Sequence, residues 1–540
     1  MILGILMNIN QAWKSTCKVL LGDEIGDMEK YSGYLEEYVE SVVMKKSSLS
    51  GKDVFFSSDD FLPDACFISQ DELDSYIGRF AGFKLNMNQM KDLDSILEAI
   101  GEIAYYCGDA VLGTSQKVQE SNRVFNSVNV FRSQEIYDSK YVAYSSVARL
   151  AEYLFGSNGI GETKFGIRNF NTYQNVRCFE TNVIYNCSDC YFTATTGNCN
   201  NCFFCFNLRN RNYSIGNVAL PRGKYMELKE SLLEQVRVEL EKNRKLTGIV
   251  GLLEKIGRAR IVKAGSVPGG KSASIRAEKT NAPIGELDLA FAETTKLLFG
   301  MGLKPLLDHR EWLYEHVAPL ISIPSSLSGK IVHAEPLKYN LIEGSEKVFV
   351  KLDESHRLEE SRIADSELAK LGYANADRVL EKIAYFTPEA EVGTNINVTA
   401  CAAYGYAINA LECWWPVKTK NAAYCGWSRQ SENTFGCSII FSSKFCVKCF
   451  NSLNLNRCFE VSNSNSCTDC YFCHNCENCH DSMFCFNSKS LRYAVGNVEI
   501  GREGYLKAKK LVLEEIAGKL GKEKKLELSI FNVGRMHEKK

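Results

Sequence analysis

The cysteines of this chain fall on a three-residue grid. From Cys458 onward they stand at 458, 467, 470, 473, 476, 479 and 485, and every interval is a multiple of three. Cys178, Cys187, Cys190, Cys199, Cys202 and Cys205 obey the same rule earlier in the chain. The two stretches align without a gap at an offset of 280: Cys178-Phe-Glu matches Cys458-Phe-Glu, and Phe204-Cys-Phe-Asn207 matches Phe484-Cys-Phe-Asn487.

The grid outlasts the cysteines. Every third residue from Ser121 reads Val124, Ser127, Val130, Ser133, Ile136, Ser139 and Val142, and small or aliphatic residues continue with few exceptions to Cys205. An α-helix repeats at 3.6 residues and drifts off such a register within about two turns, whereas a flat strand repeats at two. A strict period of three predicts a narrow β-solenoid whose coils turn sharply enough to send every third side chain inward. A coarser step of twelve runs through Cys401, Cys413, Cys425, Cys437, Cys449, Val461, Cys473 and Cys485. Twelve residues per coil stacks Arg177 over Asp189 and Arg457 over Asp469, with rungs about 4.8 Å apart. It also aligns an aromatic and aliphatic set on the outer side, Phe155, Ile167, Phe179, Tyr191 and Phe203, which is read as a dry, covered face rather than a base- or sugar-stacking platform.

In its twelve-residue step and small inward residues the pattern resembles the coils of the insect antifreeze β-helix. The likeness implies architecture only, because the outward Thr-x-Thr face of that protein has no counterpart here. The segment Cys-Phe-Glu … Cys-x-Asp-Cys-Tyr-Phe … Phe-Cys-Phe-Asn also resembles Cys-rich segments of uncharacterised proteins from microbial genomes, over about 40 residues in each stretch; that resemblance implies no activity and no catalytic residue.

The 280-residue offset reaches beyond the grid. Ile103-Ala-Tyr105 recurs as Ile383-Ala-Tyr385 and Gly216-Asn-Val218 as Gly496-Asn-Val498, while Ser48-Leu-Ser-Gly-Lys52 recurs as Ser326-Leu-Ser-Gly-Lys330, shifted by two residues. A whole-chain duplication is the reading. The expected fold class is α+β with β-solenoid, each copy made of a mixed α/β cap, a Cys-rich solenoid and a C-terminal amphipathic helix. The corresponding spans are 1–112, 113–218 and 219–260, a linker at 261–285, then 286–392, 393–498 and 499–540. Within the first cap, apolar spacing predicts helices over 27–46 and 88–106, and Ser69-Gln-Asp-Glu72 is a capping-box pattern.

With 540 residues the chain exceeds one ordinary domain. A formal net charge of −1 argues against a broad phosphate-binding surface, so nucleic acid is not the expected partner. The N-terminal run Met1-Ile-Leu-Gly-Ile-Leu-Met7 lacks a basic leader and a cleavage site, and no stretch reaches the roughly 18 apolar residues of a membrane span. A cytoplasmic, thiol-reducing setting follows as the expectation for the 22 cysteines.

Three chemistries compete for those cysteines. Cys187, Cys190, Cys199 and Cys202 have spacing that suits zinc, although the fourth position is Ser482 in the second stretch. Cys467, Cys470, Cys473, Cys476 and Cys479 are dense enough for an iron–sulfur cluster but lack a closing Cys-Pro. Buried structural thiols explain the spacing of both sets and are the preferred reading, with metal and disulfides as alternatives. Gly265, Gly270, Lys271 and Ser272 match the phosphate-cradling Gly-x4-Gly-Lys-Ser loop. The loop stands in linker-like sequence with no apolar helix after it, and nucleotide binding ranks third. A Cys473–His474 dyad is disfavoured, since strand neighbours point to opposite sides. The expected function is a structural or interaction scaffold, partnered by its own other copy or another protein, with no cofactor and no catalytic residue; a zinc, iron–sulfur or thiol-redox protein is the alternative.

Overall fold

The chain returns to the same place every twelve residues. In the computed structural model, which describes residues 2–263 and 284–533, short parallel strands run from Val111–Leu112 to Asn212–Ile215. Their partners lie twelve residues apart: Val124↔Ile136, Val142↔Leu154, Cys178↔Cys190↔Cys202. The same step recurs from Ile396–Thr399 onward, in Ala410↔Ala422 and Cys446↔Cys458. The fold is thus mixed α/β with long, parallel-rich sheets.

The short strands have a backbone cause. From Lys117 to Tyr213 every third residue has a positive φ, near +50°. A left-handed residue turns the chain sharply, so strands between corners are brief and each side contributes one inward residue. This conformation costs about 1–2 kcal/mol in an ordinary residue and least in Gly and Asn. Asparagine is accordingly common at the corners (Asn171, Asn186, Asn198, Asn201, Asn207 and Asn210), yet Val147, Val183 and Leu150 also occupy them. The parallel sheet ends where Asn212–Ile215 folds back antiparallel on Val218–Ala219 through Gly216 and Asn217, both at positive φ. Gly496-Asn497 closes the second sheet in the same way, as two-residue hairpin turns require.

The outer apolar rung is buried. Phe155, Ile167, Phe179, Tyr191 and Phe203 are at most 2% exposed, beneath helices Ile2–Leu21, Arg222–Asn243 and Ile249–Lys263. The first of these was read from sequence only as a short apolar run; it places Ile9, Trp13 and Leu20 against the sheet. The stretch 219–260, expected as one helix, holds two, because Arg244 adopts φ +58° and its N–H closes on Leu240 O. The second sheet is covered by Ile284–Phe299 and Gly501–Glu523. Two helices expected in the first cap are replaced by mixed structure. Residues 27–46 contain a turn at Met28–Tyr31, the short helix Ser32–Glu36, and the strand Val43–Lys46 paired with Asp53–Phe56. Asp92 accepts the Ser95 N–H and starts a new helix, Leu93–Ile100, which Gly101 ends before the strand Tyr105–Gly108. The capping box at Ser69 and Glu72 forms as read.

The α/β blocks pack across the chain. Val54, Phe67, Ile96 and Tyr106 join the core around the second sheet, while Val332, Phe349, Ile383 and Phe386 join that around the first. Asn207 Nδ2 donates to Tyr385 O at 2.9 Å, and 280 residues on Asn487 Nδ2 donates to Tyr105 O at 2.8 Å. The two sheets lie side by side in opposite directions: Arg123 meets Asn463, Tyr137 meets Phe441, and Thr195 meets Thr387. No helix among the described residues is long and apolar enough to cross a membrane.

Leu150 is 40% exposed and sits at a corner with φ +53°. Leu150→Asn removes left-handed strain without emptying a core position, so chemical denaturation should show about 1 kcal/mol of added stability.

Candidate functional site

Along the parallel sheets, buried serine and cysteine make similar bonds. Ser127 Oγ donates to Phe125 O two residues back, and accepts the Ser139 N–H twelve residues on. Ser133, Ser139 and Ser145 repeat the bond to the carbonyl two residues back, and each accepts the next such N–H. Cys187 Sγ reaches Tyr185 O at 3.3 Å and Thr196 O at 3.7 Å; Cys199 Sγ reaches Gly197 O and Leu208 O at 3.4 and 3.5 Å. Cys190 and Cys202 bond likewise to Ser188 O and Asn200 O. In the second half Cys467, Cys470, Cys473, Cys476 and Cys479 each contact the carbonyl two residues back and one nine residues on. Cys413 and Cys449 give their N–H to the sulfur twelve residues earlier, Cys401 and Cys437. These carbonyls also accept a backbone N–H from the neighbouring rung, Phe125 O from Asp138 and Tyr185 O from Asn198, so the inward hydroxyl or thiol adds a second donor to an oxygen with two lone pairs.

All nine candidate cysteines are buried free thiols. Cys190 and Cys202 share one ladder with Cys178, and Cys187 and Cys199 share another. Burial pushes the Cys446 and Cys458 thiols up. Among the described residues, His, Cys, Asp and Glu nowhere form a group of three or more placed to hold a metal ion. The loop Gly265, Gly270, Lys271 and Ser272 lies outside the described residues. Cys473 and His474 point apart: the thiol reaches Tyr471 O within its own sheet, while the His474 ring meets the Cys107 N–H.

Charged ladders form on the outside. Arg177 and Asp189 pair bidentately at 2.8 and 2.6 Å, and Arg457 meets Asp469 at 2.6 Å, as the twelve-residue register requires. Sequence reading missed a buried counterpart. Arg168 Nε meets Glu180 Oε1 at 2.6 Å with both side chains fully buried, and Glu180 Oε2 accepts the Ile249 N–H, fastening the start of helix Ile249–Lys263. At the same offset Lys448 pairs with Glu460 at 3.6 Å, and Glu460 Oε2 accepts the Ile530 N–H. Gly248 is compulsory beside this carboxylate, since a Cβ there would lie 2.1 Å from Glu180 Oε2. The twelve-residue spacing of these charges, present in both halves, was the signal available.

Two further buried groups join the halves. His474 Nε2 accepts the Cys107 N–H at 3.0 Å, and Nδ1 meets Ser462 Oγ at 2.7 Å. Burial lowers its pKa to about 3, so the ring is neutral. Glu335 takes Asn171 Nδ2 and Asn340 Nδ2 at 2.8 Å each, and burial pushes its carboxyl up to about 7. A cleft of about 620 Å³ is lined by Lys330, His333, Lys351, His356, Glu389 and Cys401. Its central charges serve the fold: Glu389 holds Lys351 Nζ and the His333 and Leu352 N–H groups. No protein-family model, curated protein or solved structure matches the chain.

His474 carries a testable sign. Its folded pKa lies below the unfolded 6.5, so its contribution is intact above pH 6.5 and declines as pH falls toward about 3. Relative to His474→Gln, which keeps an acceptor for the Cys107 N–H, the wild type should lose about 1.4 kcal/mol per pH unit through that window, read from urea midpoints at stepped pH.

Proposed function

We propose that the chain is a structural or interaction scaffold, built by internal duplication from two narrow, Cys-rich β-solenoids laid side by side in opposite directions. The observation that carries this reading is the equivalence of thiol and hydroxyl in the lumen. The sulfurs of the cysteines that made a metal or redox site attractive lie within hydrogen-bond reach of backbone carbonyls, as the hydroxyls of the serines do in the first half. Ser482 supports it directly: 280 residues after Cys202 it stands in the same register and donates to His480 O at 3.0 Å.

The duplication is supported by matched interactions that residue identity alone does not require. Lys229 lies over the Tyr191 ring at 4.4 Å and Lys509 over the Tyr471 ring at 4.6 Å. The exchanged α/β blocks make reciprocal bonds, as the two subunits of a twofold dimer do. In this reading each half is the other's principal partner, and covered sheet faces give the assembly its rigidity.

Metal content and thiol titre, measured on protein purified without oxygen, test the proposal. The scaffold reading expects no stoichiometric metal, thiol reaction in the folded state confined to the partly exposed Cys66, and close to 22 thiols after denaturation. Stoichiometric zinc or iron overturns it in favour of a site in the Cys467–Cys479 run. Single substitutions add a graded test at Cys205, whose Sγ lies 3.3 Å from Phe203 O. Cys205→Ser should stay within about 1 kcal/mol of wild type, whereas Cys205→Ala leaves Phe203 O with the Gly216 N–H alone and a void where the sulfur was, and should cost about 1–3 kcal/mol.

A further inference from the structure

Where the two sheets meet, one polar ladder keeps unpartnered atoms, although Gln134 Nε2 donates to Glu40 O. Gln134, Ser146 and Asn158 stand in successive rungs of the first sheet. They line a cleft of about 160 Å³ whose opposite wall comes from the second half, through Trp414, Ser438 and Phe450. Ser146 and Asn158 are fully buried, and Gln134 and Trp414 are 4% and 7% exposed. Yet Ser146 Oγ, both amide atoms of Asn158, Gln134 Oε1 and Trp414 Nε1 have no hydrogen-bond partner within the chain. Buried polar groups are rarely abandoned in this way, and here they converge on one space. The Trp414 indole is laid flat by design of the rung beside it, for a Cβ at Gly426 would lie 2.3 Å from the ring. Trp415 and Trp427, with centroids 5.1 Å apart, add a second aromatic wall.

The ionisable groups around the cleft are already engaged. Glu135 pairs with Arg123 at 2.6 Å, Asp60 lies 3.6 Å from His316, and Glu40 accepts the Lys338 N–H. An anionic ligand would find no lysine or arginine in this lining. What remains is a mixed set of neutral donors and acceptors against indole faces: Trp414 Nε1 and Asn158 Nδ2 donate, Gln134 Oε1 and Asn158 Oδ1 accept, and Ser146 Oγ does either. Hydroxyl groups, which donate and accept, match both kinds, and the C–H face of a saturated ring suits tryptophan. At about 30 Å³ per water the space holds about five waters or one ring-sized molecule.

We propose that this cleft binds a neutral, monosaccharide-sized polyol, with Asn158, Ser146 and Gln134 reading hydroxyls and Trp414 stacking on and hydrogen-bonding to the ring. The site lies between the halves and depends on both. It is independent of the lumen thiols, so it stands or falls separately from the scaffold reading.

The test is calorimetry and tryptophan fluorescence on the full chain at neutral pH with D-glucose, D-galactose, N-acetylglucosamine and myo-inositol, and with methyl α-D-glucoside and glucose 6-phosphate beside them. Saturable binding of at least one neutral polyol is expected, with glucose 6-phosphate weaker than glucose. Retention of the methyl glycoside would assign the site to a terminal sugar unit, and its loss to a free one. Ser146→Ala and Trp414→Phe should each weaken binding about tenfold. Ser146→Ala removes an unpaired buried hydroxyl and should fold at least as stably as wild type, so weaker binding in it reports the site rather than the fold. The proposal is overturned if no neutral polyol binds and the cleft holds water alone, if only the phosphorylated sugar binds, or if both variants bind as wild type does.

Discussion

The paired bonds of an inward hydroxyl or thiol, to the carbonyl two residues behind it and from an inward N–H twelve residues on, are what the rest of this structure depends on. A chain that turns at every third residue gives up long strands and sends backbone oxygens toward an axis that water does not reach. Those oxygens accept a backbone N–H from the neighbouring rung, as Phe125 O does from Asp138, while the inward N–H groups of Ser139 and Cys413 are met by the Oγ or Sγ twelve residues earlier, and one left bare would cost about 1–3 kcal/mol. Serine, threonine and asparagine can meet the demand, and so can cysteine, which adds the apolar volume that a tight lumen needs. Asn169 and Asn175 show the amide version, donating to Cys178 O and Ile184 O. The buried cysteines thus combine apolar packing with hydrogen bonding to the backbone.

Outside the lumen, two kinds of contact hold the covering elements in place. Apolar rungs are buried beneath helices, and ion pairs between adjacent rungs fix where those helices begin. Arg168–Glu180 is fully buried, a setting in which Coulomb attraction alone often fails to offset desolvation. Glu180 answers this by also accepting the Ile249 N–H. The carboxylate thereby couples the register of the sheet to the position of the helix. Lys448 and Glu460 perform the same coupling for the segment that contains Ile530.

Much of this was legible from residue order. The twelve-residue step placed Arg177 on Asp189 and Arg457 on Asp469, and the pairs are there because charge on an exposed rung depends only on register. The covered state of Phe179 and Tyr191 followed from the same step. The left-handed corners were not read, although asparagine at 186, 198 and 210 marks them. Helical spacing over 27–46 and 88–106 misled because Asp92, Gly101 and the strand pairing Val43↔Phe56 act locally against a continuous helix. His474 and the Gln134–Ser146–Asn158 ladder were beyond reach for another reason. Their surroundings come from residues hundreds of positions away, such as Cys107 and Trp414, and no spacing within one segment announces them.

The opposed directions of the two sheets set a rule for how a chain of this kind can change length. An insertion that is not a multiple of twelve would rotate every later residue off its wall. A full extra turn in one half would preserve the walls but push that half's end along its neighbour by one rung, about 4.8 Å. Asn207 would then miss Tyr385, or Asn487 would miss Tyr105. Growth is therefore both quantised and paired: one turn added to one half calls for one turn added to the other.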